Sequence, residues 1–274
     1  MTYEAGDGQE YWHDTDAEQV GNQQINGIIG GCALTYDASD LTVDLAAGTA
    51  LINGVIKQIS AASNVVTLSA DSVSPRWSVI GLNSSGTGVL VSGTAAATPS
   101  KPELGTIVVP LAVLYITAGE TIANNISIKF DRRIPIRTFA IRKTADETVN
   151  NSATLQNDDD FYFYMDASQS WHVDLQLAMN SGATPDFKAA WTVQSGGSAV
   201  GTKTLAAGTR SWVADFTSAE AWDGTGAASA IAMNLNLVNS TTAGLFRLQW
   251  AQNTQDASDS KLLINSVMVA RRVT

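Results

Sequence analysis

The residues able to do chemistry in this chain are few: His13, His172, Cys32 and a dense carboxylate run at Asp158-Asp159-Asp160. His172 alternates with apolar neighbours, which places it on the polar face of a strand, with Asp174 on the same face. A Ser-His-Asp set would use that pair. The Gly-x-Ser-x-Gly turn that lifts a nucleophile out of a sheet is missing, and so are the His-x-x-x-His and His-Glu-x-x-His metal spacings. Cys32 follows Gly30-Gly31 with no histidine near it in sequence, so a buried, inert thiol is expected. The three aspartates offer the oxygen ligands calcium takes, but not at EF-hand spacing. They read either as a solvated turn before the strand from Phe161 to Met165 or as a weak cation site. No phosphate loop or dinucleotide fingerprint occurs, and no two carboxylates stand out as a glycosidase pair. The expectation is therefore a protein that is not an enzyme, with no catalytic, cofactor-binding or metal-binding residues.

The aromatic residues point to partners instead. Trp171, Trp191 and Trp250 fall in phase with core positions. Trp222 lies in Ala221-Trp222-Asp223-Gly224-Thr225-Gly226, which reads as a loop. An exposed Trp222 beside Asp223 would suit stacking on a sugar face, a loop anchor, or a contact between subunits. Tyr11 and Trp12 sit among Asp7, Glu10, Asp14, Asp16 and Glu18. That stretch reads as an arm over its own domain, or as a docking arm that anchors on a partner through Tyr11 and Trp12. Arg132, Arg133, Arg137, Arg142 and Lys143 form a basic cluster in an otherwise acidic chain. They read as solvated side chains around a linker, or as an inter-subunit contact with acidic groups.

The elements that must position these residues are strands. Leu41, Val43 and Leu45 alternate with polar residues, and Asn53-Gly54 is a two-residue hairpin signal between apolar flanks. Ile107 to Ile116 is nearly continuous and apolar. Its Pro110 lacks the N–H a central strand needs, so a bulge or an edge is expected there. In the second half, Trp171 to Met179 and Ile231 to Leu237 keep a period of two throughout. Only Asp71 to Pro75 and Ser218 to Ala221 could hold a turn or two of helix. The fold class is all-β. An N-terminal arm (1–26) precedes an N-terminal β-domain (27–135), a linker (136–146) and a C-terminal jelly-roll-like β-sandwich (147–274).

Composition narrows the function classes. Of 274 residues, 45% are hydrophobic and only 15% charged, which excludes a disordered chain and a coiled coil. The net charge of −10 argues against nucleic-acid binding, which needs a positive surface to displace counterions. No apolar run is long enough to insert in a membrane as a helix. MTYEAGDGQEYW has neither a basic start nor an apolar core, so no secretory signal is expected. A lone cysteine makes no internal disulfide, as suits assembly in a reducing cytoplasm.

Two stretches resemble virion proteins of tailed bacteriophages. The first runs from Ala46 to Arg133: Gly48-Thr49-Ala50-Leu51-Ile52-Asn53-Gly54, Pro75-Arg76-Trp77-Ser78-Val79-Ile80, Gly105-Thr106-Ile107, Leu111-Ala112-Val113 and Asp131-Arg132-Arg133. This order is similar to the N-terminal β-domain of tail-appendage and baseplate-associated proteins, with Ser78 in place of an acidic residue. The second runs from Lys143 to Val273, with Lys143-Thr144-Ala145-Asp146-Glu147 and Gln249-Trp250-Ala251-Gln252-Asn253 as its longest runs. It resembles a β-sandwich module at the C-terminal ends of phage fibre and virion-surface proteins. The resemblance implies a structural virion protein, assembled in the host cytoplasm and released by lysis. It implies a homotrimeric tail fibre, tail-tip or baseplate appendage that contacts other virion proteins through its N-terminal region and a host surface glycan through its outer part. Capsid decoration or head-fibre protein and carbohydrate-binding module are the alternatives. The family supplies no catalytic residues.

Overall fold

The computed structural model describes residues 26–204 and 208–274. Tyr11 and Trp12 lie outside the described residues. The chain divides into two compact units, residues 1–136 and 137–274.

Among its described residues the first unit holds ten strands: β1 (Gly27–Gly31), β2 (Leu34–Tyr36), β3 (Thr42–Leu45), β4 (Gly48–Ile52), β5 (Val55–Ile59), β6 (Ala62–Thr67), β7 (Arg76–Leu82), β8 (Gly88–Ser92), β9 (Val109–Ile116) and β10 (Ile128–Asp131). They form three antiparallel sheets, ordered β1-β4-β5, β2-β3-β6 and β10-β9-β7-β8. The Asn53-Gly54 hairpin joins β4 to β5 with both turn residues left-handed, at φ 53° and 76°. Two left-handed residues make the turn whose twist matches the paired strands. Pro110 sits at a bulge in β9: Ile80 pairs with Ala112 but Gly81 with Pro110, so Leu111 is the extra residue. β10 covers only Ala112 to Tyr115, so the missing proline N–H opens no gap on that side. Ile28, Leu45, Ile52, Leu82 and Leu111 pack one core cluster, and Val43, Ile80, Leu114 and Ile116 a second. Cys32 is fully buried.

The second unit holds β11 (Thr138–Arg142), β12 (Glu147–Val149), β13 (Gln156–Met165), β14 (Ser170–Asn180), β15 (Phe187–Thr192), β16 (Ser198–Thr204), β17 (Arg210–Val213), β18 (Glu220–Trp222), β19 (Ala228–Val238), β20 (Gly244–Ala251), β21 (Ser260–Leu262) and β22 (Val267–Arg272). One sheet reads β13-β20-β15-β18. The other contains β14-β19-β16-β17 and is widened by β22 and β11 beside β14. Counting from β13, the first, eighth, third and sixth strands face the second, seventh, fourth and fifth. That is the wrapping of a jelly roll. Alternation drives it. Trp171, Val173, Leu175, Leu177 and Met179 of β14 are all buried, and so are Ile231, Met233, Leu235 and Leu237 of β19. Phe163 of β13 meets Trp171 of β14 across the sandwich at 5.1 Å between ring centroids.

Several expectations need correction. The segment 136–146 is not a bare linker, because β11 pairs along its length with β22. Its Phe139 is buried against Phe163 and Trp171. Asp158 to Asp160 are not a solvated turn but part of β13. Asn157 pairs with Gln249 and Tyr162 with Arg247, so four residues of β13 bulge opposite Leu248 alone. Neither Asp71 to Pro75 nor Ser218 to Ala221 is helical. Among the described residues the sole helical piece is a 3₁₀ turn at Ala123–Asn125.

Two tryptophans of the second unit make a test of this packing. Trp171→Ala empties a fully buried site and should lower unfolding free energy by about 3–5 kcal/mol. Trp212→Ala, at a position 65% exposed, should stay within about 0.5 kcal/mol. Urea unfolding followed by far-UV circular dichroism compares the two. Equal costs would contradict the assigned faces.

Candidate functional site

The densest charge cluster in the second unit is closed and structural. Lys143 follows β11 at a position where Ser266 O accepts its backbone N–H (2.8 Å). Its side chain is fully buried, and its ammonium lies 2.6 Å from Glu147 Oε1, 2.8 Å from Asp158 Oδ2 and 3.4 Å from Asp160 Oδ2. Asp158 is fully buried as well, and its Oδ1 accepts the N–H groups of Asp160 (2.9 Å) and Phe161 (2.7 Å). Glu147 accepts the Asp159 N–H (3.0 Å) and the Trp250 indole N–H (3.2 Å). Glu147, Asp158 and Asp160 are close enough together to hold a metal ion, but the cation they surround is Lys143. Burial pushes the Lys143 pKa down, yet Asp158 and then Glu147 outweigh it, and the net shift is upward. Burial pushes Asp158 up, and the attraction of Lys143 does not fully offset it because Glu147 adds like charge. One ammonium among three carboxylates accounts for both directions.

The other members of the basic cluster differ from Lys143. Arg133 makes a forked ion pair with Asp131 and reaches Gly31 O. Arg142 donates to Asn265 Oδ1 at 3.0 Å. In the first unit a cavity of about 240 Å³ is lined by Tyr36, Lys129, Asp131 and Arg133. Burial pushes the Tyr36 phenol up to about 12, with Asp131 adding to it. Lys129 already donates to Asn124 O there (2.7 Å).

Trp222 and Asp223 do not form the expected loop site. Trp222 ends β18 and is buried, because Phe187 pairs with it across β15. Its indole N–H donates to Thr204 O (3.2 Å), the Lys203 ammonium lies 5.1 Å from its ring, and Phe187 meets it edge-on. No face is left for a sugar. Asp223 is exposed but lacks an aromatic partner surface.

The exposed tryptophan of this unit is Trp212. It lies on β17, the edge strand, directly opposite Thr202 of β16. Val213 and Gly201 pair next to it and point inward, so Trp212 and Thr202 share the outer face. On that face an open cavity of about 120 Å³ is lined by Asp174, Gln176, Thr202, Thr204, Arg210 and Asn234, among others. The sheet register brings them together. Asp174 lies opposite Asn234, Asn234 opposite Thr202, Gln176 opposite Ala232, and Thr204 opposite Arg210. Asn234 Nδ2 donates to Asp174 Oδ1 and also lies 3.2 Å from His172 Nε2. His172 Nδ1 lies 3.0 Å from Asn236 Oδ1. With its proton on Nδ1, His172 satisfies both amides, so neither ring nitrogen is free to activate a nucleophile. Sequence reading missed this site because four adjacent strands, β14, β19, β16 and β17, supply it. One signal was present: Trp212 is out of phase with the core residue Val213 and lies two residues from Arg210.

No protein-family model matches the chain, and no curated protein matches it. Among solved structures it is similar to proteins of infectious bursal disease virus. The Gt-strain structure shows 10% identity over 90% of this chain and 68% of that one, with a TM-score of 0.30. A VP2 D431N mutant that forms T=1 particles shows 12% identity over 90% of this chain and 67% of that one, with a TM-score of 0.29. Those scores are below what a shared fold requires.

Removing Lys143 should expose how much the cage holds. Lys143→Met leaves Asp158 charged in the interior and should cost about 3–5 kcal/mol, part of which Asp158→Asn restores in the double variant. The raised lysine pKa also sets a direction with pH. This contribution is complete below the unfolded lysine value of 10.5 and is lost as pH rises through the higher folded value. Denaturant titrations of the variants, and of the parent chain from neutral to strongly alkaline pH, measure both effects. A Lys143→Met protein as stable as the parent would contradict the role of the cage.

Proposed function

We propose that this chain is a non-enzymatic structural protein of a tailed-phage virion, a homotrimeric tail-fibre, tail-tip or baseplate appendage. Its first unit attaches to other virion proteins, and its jelly-roll unit forms the outward part, where it meets the host surface. One observation supports this reading: three of the five separated segments that resemble the appendage β-domain lie on neighbouring strands. Pattern residues Arg76 to Ile80 lie on β7, Leu111 to Val113 on β9 and Asp131 at the end of β10, and these three strands are adjacent in one sheet. The closing Asp131 and Arg133 pair with each other at 2.6 Å.

The second unit supports the same reading through its economy. It is held by an aromatic core and a buried ion pair, with no disulfide among the described residues, as suits assembly in a reducing cytoplasm. Its strands leave a wide outer face open for contacts between molecules, with Ala, Asn and Val side chains beside His172, Asp174 and Gln176, and Thr202 and Thr204 on β16.

The purified full chain should have a native mass three times its 28.8 kDa, stable on dilution, when measured by multi-angle light scattering. A clean monomer at every concentration would contradict the trimeric appendage and favour a decoration protein that becomes ordered only on the particle.

A further inference from the structure

The outer face of the jelly-roll unit has a feature that a subunit scaffold does not require. Trp212 is 65% exposed on an edge strand, where a bare indole is an aggregation hazard unless something covers it. Beside it the open cavity gathers a carboxylate (Asp174), two amides (Gln176 and Asn234), two hydroxyls (Thr202 and Thr204) and a guanidinium (Arg210). Donors and acceptors thus line a small space, and Thr202 of that lining lies directly opposite Trp212 on the same face.

We infer that this cavity and the Trp212 ring bind one neutral pyranose residue of a surface glycan. A pyranose has an apolar face of C–H groups and a rim of hydroxyls, each both donor and acceptor. Trp212 suits the face by stacking, and the amides, hydroxyls and Asp174 suit the rim. A cavity of about 120 Å³ has room for roughly four waters, which fits the hydroxyl edge of one ring and not a long oligosaccharide. The charge balance selects the class. One carboxylate and one guanidinium line the cavity and cancel, while the chain carries −10 overall and repels acidic polysaccharide. The site stands independently of the virion reading, since one copy of the unit supplies every residue.

The test uses the full chain, four neutral probes (the methyl glycosides of glucose, galactose, mannose and N-acetylglucosamine) and methyl glucuronide as the acidic comparison. Binding is read by saturation-transfer NMR and by shifts of the Trp212 indole signal. At least one probe should bind at millimolar concentration and perturb that signal. Trp212→Ala should weaken binding about tenfold, the scale of one lost aromatic contact. Asn234→Ala is the second variant, and it should weaken binding without removing the aromatic surface. Circular dichroism confirms that both remain folded. No binding by any of the four overturns the inference, and so does binding that Trp212→Ala leaves unchanged. Preference for glucuronate over the neutral probes overturns the neutral class. Self-association abolished by Trp212→Ala, with no sugar signal, makes the face a contact between copies and also overturns it.

Discussion

Lys143 holds a positive charge in the interior of the jelly-roll unit, and much around it follows from that. An unpaired buried ammonium costs several kcal/mol, so the chain must bring carboxylates to it. Glu147 comes from β12, Asp158 and Asp160 come from a bulge in β13, and Trp250 of β20 fixes Glu147 in turn. The backbone of Lys143 is held on both sides by the turn before β22, through Ser266 and Asn265. One cation thereby ties together segments that belong to both sheets. The net gain over an apolar substitute is small, but the penalty for misalignment is large. A slip of β13 by one residue would turn Asp158 outward and leave the lysine without its buried partner.

That lock lets the rest of the unit divide its labour by strand face. The inner faces of β14 and β19 carry tryptophan, leucine and methionine, and Phe163 with Trp171 joins the sheets. The outer faces are then free of packing duty. They carry Asn, Thr, Gln, Asp and His at alternate positions, paired by register into a polar surface with Trp212 at its edge. The proposed sugar contact and the proposed multi-copy assembly both draw on this freedom. Neither asks a core residue to do two things.

What was legible in the sequence follows from how each element is held. β14 and β19 are half-buried along their whole length, so burial prints a period of two that can be read directly. The Asn53-Gly54 turn was legible because its backbone demands left-handed residues, and Pro110 because a missing donor must fall at an irregularity. Lys143 was not legible. A lysine in a charged stretch looks solvated, and its key partner is 15 residues away, inside a bulge that no periodicity marks. Trp222 misled because Asp223, Gly224 and Gly226 signal a loop, while cross-strand pairing with Phe187 takes it into the core. The outer-face site needs residues from β14, β16, β17 and β19 in register. Local sequence carries almost nothing of that.

The claim on which this account rests is that Lys143 is an ammonium ion held by carboxylates inside the second unit. The side-chain nitrogen resonance of Lys143, assigned by comparison with Lys143→Arg and followed through an alkaline titration, measures it directly. The account predicts a protonated, slowly exchanging ammonium across the neutral range, with a titration midpoint above 10.5. A midpoint below 10.5, or a neutral amine near pH 7, would mean that burial outweighs Asp158 and Glu147, and would contradict the cage as described.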